Sequence, residues 1–345
     1  MQRAGELDWL RALAALTVIA IHITGSYVDF LSSAYYANHL ARFAVPLFII
    51  ISGFVLHYSN RRKEMTVLSF YQRRMDRILW PYLVWTLFYV FFFPPLMGQG
   101  FPWVSAAELG RHLLWGTGSY HLYFLPIIIQ LYLLFPLLYR WVKKQPWVML
   151  LVALLISLLS MSLYYLGMLQ ESQWWNDYKI PYMRFFPNWL FYFVLGMVAA
   201  ERQELMNRLC KRYVLPLGIL WLGALGLILL DSRLCGMAVS IVRPSILIYA
   251  SLSFLFFYGI FRYLPAQWSA VRWLAEQSFV VYLAHPGIIS LLVYWLPAMG
   301  YQTIWYNNNG MCLLYLCTLG ITLLFCWGVS QLPGAQYLGG VNRGK

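Results

Sequence analysis

The sequence predicts an all-α, polytopic membrane protein with about ten transmembrane helices. Its 345 residues are 61% hydrophobic and only 11% charged, and the mean hydropathy is +0.62. Soluble domains, by comparison, carry about 25% charged residues. Several apolar stretches approach the roughly 20 residues that a helix needs to cross a bilayer. The composition therefore excludes a soluble globular fold and predicts a chain that lies mostly within lipid.

Hydropathy divides the chain into ten predicted spans. The sixth span is short and has Pro187 near its start, so interpretations with nine or eleven spans stay open. In chain order the spans cover residues 7–28, 40–58, 78–97, 120–139, 147–167, 185–200, 213–231, 244–261, 275–296 and 310–332.

The distribution of basic residues predicts the orientation of these spans. With ten spans, 19 of the 25 Lys and Arg residues fall on the side of the N-terminus and 6 on the other side. Such an excess marks the cytoplasmic side, so both termini are predicted to be cytoplasmic. The same pattern accounts for the net charge of +13 without a nucleic acid partner. We expect a multi-pass protein of the cytoplasmic (plasma) membrane with the lipid bilayer as its surroundings.

The first predicted span carries a cation and an imidazole. Arg11 and His22 are eleven residues apart, close to three helical turns, so their side chains project from one helix face about 16 Å apart. Ionisable residues at membrane depth are costly and are functional by default. A neutral imidazole is a competent general base for a hydroxyl. We predict His22 and Arg11 as catalytic residues; a packed histidine with an anchoring arginine is the alternative.

Three arginines precede the third span on the same predicted side of the membrane. Arg74 and Arg77 are one helical turn apart, a spacing that suits binding of a polyanion, and Arg73 adjoins them. The planar guanidinium group is well matched to phosphate. We predict that these residues bind a cytosolic donor such as coenzyme A, although arginines in this position also serve simply to fix topology.

Further polar residues are candidates for binding an acceptor. His121 and Tyr123 open the fourth span at its predicted outer end, and Glu276 and His285 lie in the ninth span. Glu276 and His285 are nine residues apart, so we do not expect them to touch. His57, near the inner end of the second span, is expected to be a solvated residue at the interface.

The sequence lacks the motifs of several other function classes. It contains no GK[ST] phosphate loop, HExxH motif, GxSxG elbow or CxxC pair. We therefore expect neither ATP-driven transport nor metalloprotease chemistry, and no metal site.

Six short pieces occur in order along the predicted spans. On these pieces the chain resembles the acyltransferase-3 family of integral membrane acyltransferases over nearly its full length. They are LDWLR at 7–11 with His22, VPLFIIISGF at 45–54, RRMDRI at 73–78 followed by Pro81 and Tyr82, HLYFL at 121–125, WLFYFVLG at 189–196 and SFVVYLAHP at 278–286.

The resemblance implies a single transmembrane acyltransferase domain over residues 1–345. Such a domain transfers an acyl group, usually acetyl, from cytosolic acyl-coenzyme A to a hydroxyl of an extracytoplasmic glycan or lipid-linked sugar. His22 then corresponds to the essential histidine of the family, Arg11 to its partner arginine, and Arg74 and Arg77 to its donor-binding RxxR element. Tyr123 departs from the pattern, because many members carry tryptophan there.

The sixth and ninth spans are similar to a branch associated with poly-N-acetylglucosamine exopolysaccharide, whose members have been interpreted as modifiers or as exporters. A polysaccharide exporter or flippase without covalent chemistry is therefore the alternative function. An anchoring subunit of a glycan synthase is a third. Neither metal nor redox cofactor is expected, and direct transfer and transfer through an acyl-enzyme both stay open.

Overall fold

The structure is a computed structural model, and the described part of the chain is helical. It comprises residues 5–61, 66–170 (backbone alone at 168–170), 181–235, 241–265, 268–300 and 304–341. Helices and short turns account for the regular structure in these ranges, and no strand occurs in them. The predicted all-α class is confirmed.

Ten helical segments of the described ranges are long and apolar enough to cross a membrane. Each overlaps one predicted span, so the predicted number is confirmed, while the orientation of the termini stays a prediction. The segments are Gly5–Gly25, Ser32–Asn60, Val67–Leu96, Phe124–Lys144, Pro146–Gly167, Pro181–Glu201, Val214–Leu234, Pro244–Phe261, Ser269–Ala298 and Asn308–Gln331.

We number the main helices in chain order. They are α1 Gly5–Gly25, α2 Ser32–Ala41, α3 Ala44–Asn60, α4 Val67–Leu87, α5 Ala106–Trp115, α6 Phe124–Lys144, α7 Pro146–Gln170, α8 Pro187–Glu201, α9 Gln203–Arg212, α10 Val214–Leu234, α11 Pro244–Phe261, α12 Ser269–Ala298 and α13 Asn308–Gln331. The helical path of α4 continues through a π-helical turn, Phe88–Phe92, and a last α-helical turn, Phe93–Leu96.

Two short helices lie between spans, where hydropathy gave no sign of them. The first, α5, has local end signals: the Ser105 side chain accepts a hydrogen bond from the backbone N–H of Glu108, and Gly116 ends the helix with φ of 62°. The second, α9, has a buried Cys210 among polar and basic residues. Both are too short to span a bilayer.

The chain forms two compact units. Unit 1 comprises Met1–Ala14, Arg42–Phe70 and Ile127–Val271, and unit 2 comprises Ala15–Ala41, Tyr71–Pro126 and Arg272–Lys345. The single domain expected over 1–345 stays a prediction.

Unit 1 is built around close packing of α3 on α8. A Cβ atom at Gly53 would overlap the carbonyl oxygen of Phe193, and one at Gly196 would overlap that of Ile50. Each helix thus places a glycine against the backbone of the other, the device by which small residues bring membrane helices together.

The environment of His57 in unit 1 differs from the expected one. We expected a solvated interfacial residue, but the side chain is fully buried, and its Nε2 lies 2.6 Å from Oε2 of Glu201. Arg61 Nε lies 4.0 Å from the same carboxylate oxygen. The partner is at the end of α8, far along the chain, so the local sequence around His57 gave no sign of it.

Candidate active site

Three predicted histidines converge in unit 2. His22 lies near the end of α1, His121 in the turn before α6, and His285 in the middle of α12. The ring centroids of His22 and His285 are 5.2 Å apart, and those of His121 and His285 are 6.0 Å apart. The sequence indicated each residue separately, and the fold assembles them into one cluster.

His22 is the accessible member of this cluster. Its side chain is partly exposed, whereas those of His121 and His285 are fully buried. The ring of Tyr120 stands edge-on to it, with centroids 5.0 Å apart. Neither ring nitrogen of His22 forms a hydrogen bond to another described residue. The imidazole is therefore available to a molecule that enters the cluster.

The hydrogen bonding of His285 defines its tautomer. Its Nδ1 lies 2.8 Å from the backbone carbonyl oxygen of Val281, and because a carbonyl only accepts, Nδ1 carries the proton. The lone pair is then on Nε2. That atom is buried and has no hydrogen-bond partner among the described residues. His285 thus presents an unused acceptor nitrogen in the cluster.

His121 is held from two sides in a buried position. Its Nδ1 lies 3.1 Å from Oγ of Ser119, and the hydroxyl of Tyr282 donates to its backbone carbonyl. Burial holds the pKa of His121 well below its usual value, and the nearby rings of His285 and His22 lower it further. The residue is therefore neutral at neutral pH, and its Nε2 also lacks a partner in the described ranges.

Sequence reasoning missed the three tyrosines around the histidines, Tyr89, Tyr120 and Tyr282. The rings of Tyr89 and Tyr282 stand edge-on to His121, with centroids 5.1 and 5.4 Å away. Tyr282 precedes His285 in a piece already singled out, and Tyr89 is a lone tyrosine in a run of apolar residues. Only the fold shows that they meet.

The predicted donor-binding arginines lie on α4. Arg74 is partly buried, whereas Arg73 and Arg77 are exposed. The same helical path reaches Tyr89, which contacts the histidine cluster, twelve residues after Arg77, or about 18 Å along the axis. One element of unit 2 therefore carries both the arginines and a residue of the cluster.

The other predicted residues lie beside the cluster or apart from it. Tyr123 is partly exposed, two residues after His121. Glu276 accepts a hydrogen bond of 3.2 Å from Arg272 and lies nine residues before His285 on α12. Arg11 is partly exposed on α1 and belongs to unit 1, so its partnership with His22 stays a prediction. Within the described ranges, no group of three His, Cys, Asp or Glu residues could hold a metal ion.

Comparison with known proteins identifies the family. A family model described as an acyltransferase domain matches residues 5–331. The chain belongs to the acyltransferase-3 family. The match runs through all ten candidate spans, so the resemblance inferred from six pieces is confirmed, and the chain is a multi-pass membrane acyltransferase at the level of the family.

Two relatives of this acyltransferase-3 protein come from Staphylococcus epidermidis, one of them from strain RP62A. Each is named a probable poly-beta-1,6-N-acetyl-D-glucosamine export protein, is 23% identical over 338 residues, and is matched over 94% of this chain and 88% of its own length. No solved structure matches the chain.

Proposed function

We propose that this acyltransferase-3 protein moves an acyl group, with acetyl as the first candidate, from cytosolic acyl-coenzyme A to a hydroxyl of an extracytoplasmic glycan or lipid-linked sugar. The observation that carries the proposal is the state of His22. Its imidazole is partly exposed, its nitrogens form no hydrogen bond to other described residues, and its ring adjoins that of the buried His285.

In the proposed reaction His22 acts as a general base. It takes the proton from the acceptor hydroxyl as the oxygen attacks the thioester carbonyl carbon. The C–O bond forms, the C–S bond breaks, and the coenzyme A thiolate takes the proton from the imidazolium. The products are the ester and coenzyme A with a free thiol group, and His22 returns to its neutral state. A base of this kind contributes about 10²–10⁴-fold in rate.

The buried histidines support binding of a hydroxyl-bearing acceptor. Nε2 of His285 is a buried acceptor and Nε2 of His121 is a buried ring nitrogen, and neither has a hydrogen-bond partner in the described ranges. Such atoms are costly to leave unbonded, and the hydroxyls of a sugar would satisfy them. Tyr123 and Glu276 are proposed to contact the acceptor farther from the reacting oxygen.

For the donor, we place the phosphates of coenzyme A on Arg74 and Arg77, with Arg73 beside them. Guanidinium groups bind phosphate through paired, charge-assisted hydrogen bonds. The arginines and Tyr89 share one helical path, which supports an arrangement in which the pantetheine arm extends from the arginines toward His22. Arg11 is proposed to stabilise negative charge along this path.

A transfer assay tests the proposal. Purified protein in lipid nanodiscs is incubated with radiolabelled acetyl-coenzyme A and a poly-N-acetylglucosamine oligomer or a lipid-linked sugar. We expect saturable binding of acetyl-coenzyme A and label in the sugar product. An absence of binding by folded protein would contradict the proposal.

Export without covalent chemistry is the second candidate, and the name of the two relatives, probable export proteins, favours it. An exporter needs no acyl donor. Transport of unmodified oligomer into sealed vesicles, with no affinity for acetyl-coenzyme A, would support export in place of transfer.

A further inference from the structure

The helix that carries His285 contains a proline immediately after it. Pro286 has no backbone N–H, and its ring crowds the carbonyl of Tyr282 four residues earlier. In an unbroken helix, the N–H of Gly287 would bond directly to the carbonyl of Leu283. Here the hydroxyl of Tyr89 bonds to both groups: it accepts from Gly287 N at 3.1 Å and donates to Leu283 O at 2.8 Å. A side chain thus enters the backbone hydrogen bonding of α12 beside Pro286.

The structure brings Tyr89 to this position by a local change in its own helix. Tyr89 lies in the π-helical turn Phe88–Phe92, a form that often occurs at functional sites. Its side chain is buried, with 5% exposed. A Cβ atom at Gly287 would lie only 3.2 Å from the Tyr89 hydroxyl oxygen, so glycine suits the close approach.

The bridged groups flank His285 on both sides. Leu283 precedes it by two residues and Gly287 follows it by two. The His285 ring is fixed by Val281 O on one side and lies 5.2 Å from the His22 ring. Tyr89 also stands edge-on to His121, at 5.1 Å. Tyr89 therefore contacts the ring of one histidine of the cluster and the backbone on both sides of another.

We propose that Tyr89 is a positioning residue: its hydroxyl bridges Gly287 N–H and Leu283 O beside Pro286 and thereby keeps His285 against His22. The proposal rests on the proposed function in that His22 serves as the base. Without the hydroxyl, Gly287 N–H and Leu283 O both lose this partner. We expect the backbone on both sides of His285 to shift as the two groups pair with each other.

The test compares Tyr89→Phe with Tyr294→Phe in the full-length protein. Tyr294 lies on α12, the helix that Tyr89 contacts, and is 40% exposed, so its variant is a matched control. We expect kcat for acetyl transfer to fall at least about tenfold in Tyr89→Phe, with KM for acetyl-coenzyme A within twofold of wild type. Tyr294→Phe should keep the wild-type values of kcat and KM. A kcat for Tyr89→Phe within twofold of wild type would overturn the proposal.

A second readout does not depend on activity. Diethyl pyrocarbonate modifies accessible imidazoles, and peptide mass spectrometry reports the modified positions. In wild type we expect reaction at His22 and protection of His285; in Tyr89→Phe we expect His285 to react. The buried His39 and His57 should stay protected, which excludes general unfolding. If wild type transfers no acyl group, the proposed function fails, but persistent protection of His285 in Tyr89→Phe is what overturns the role of Tyr89.

A double variant decides the case in which Tyr89→Phe does not fold. Pro286→Ala supplies an N–H for the carbonyl of Tyr282 and removes the proline ring. In Tyr89→Phe with Pro286→Ala, α12 can therefore form its regular hydrogen bonds, Gly287 N–H to Leu283 O among them, without the tyrosine. We expect this variant to fold, to keep the low kcat and to leave His285 reactive. A folded double variant with wild-type kcat would overturn the proposal.

Discussion

The imidazole rings of His22 and His285 lie side by side, with centroids 5.2 Å apart and planes inclined by 31°. One ring is partly exposed and the other is fully buried with a fixed tautomer. This pairing joins the first predicted span to the ninth. It gives the proposed base a neighbour whose Nε2 is an unused hydrogen-bond acceptor, and both residues belong to unit 2.

The first prediction concerns the donor arginines. Replacing Arg74 and Arg77 together by alanine should raise the dissociation constant of acetyl-coenzyme A at least about tenfold, because each charge-assisted hydrogen bond to phosphate contributes about 1.5–3 kcal/mol. Isothermal titration in nanodiscs measures the constant. Arg140→Ala, an exposed arginine on α6, is the control and should bind normally. Unchanged donor affinity in the double variant would refute the role of the arginines.

The second prediction concerns the pH dependence of stability. His121 has a lowered pKa in the folded protein, so below about pH 6.5 the unfolded chain binds a proton that the folded chain does not. Stability from this group is present above pH 6.5 and decreases as the pH falls, by up to about 1.4 kcal/mol per pH unit. The thermal midpoint should therefore fall between pH 7.5 and 5.5 more in wild type than in His121→Gln. If the thermal midpoint fell equally with pH in wild type and in His121→Gln, burial would not keep His121 neutral.

The third prediction concerns the contact of α3 with α8. A methyl group at Gly196 meets the carbonyl oxygen of Ile50 and lies 2.8 Å from the backbone nitrogen of Phe54. Gly196→Ala should destabilise the protein by about 1–3 kcal/mol, the usual effect of overpacking. Gly226→Ala is the matched control, because nothing lies within 4 Å of a Cβ there. Thermal unfolding in one detergent compares the two variants. Equal thermal midpoints would contradict the close packing of α3 on α8.

The fold was largely predictable, because lipid demands long apolar helices and hydropathy detects them. The ends of the helices were less predictable. The third span was predicted from residue 78, but its segment begins at Val67, because the arginines ahead of Pro81 continue the helix while they lower the hydropathy. Hydropathy did not detect the amphipathic helices α5 and α9 for a similar reason: each is too short to span the membrane and contains no long apolar run.

The candidate site was predictable residue by residue but not as an arrangement. His22, His121 and His285 were each predicted as functional because an ionisable side chain is costly within an apolar segment. Their convergence depends on tertiary packing. The same holds for His57, whose partner Glu201 is on another helix, and for Tyr89, whose proposed role depends on its hydrogen bonds to α12 beside Pro286.

The central claim is that His22 is the base for acyl transfer. The most direct measurement is the single-turnover rate of label transfer from acetyl-coenzyme A by His22→Ala, with His112→Ala, on the short helix α5, as the control. The account predicts a fall of about 10²–10⁴-fold for His22→Ala, unchanged donor binding, and a wild-type rate for the control. A folded His22→Ala protein that transfers label at the wild-type rate would contradict the account.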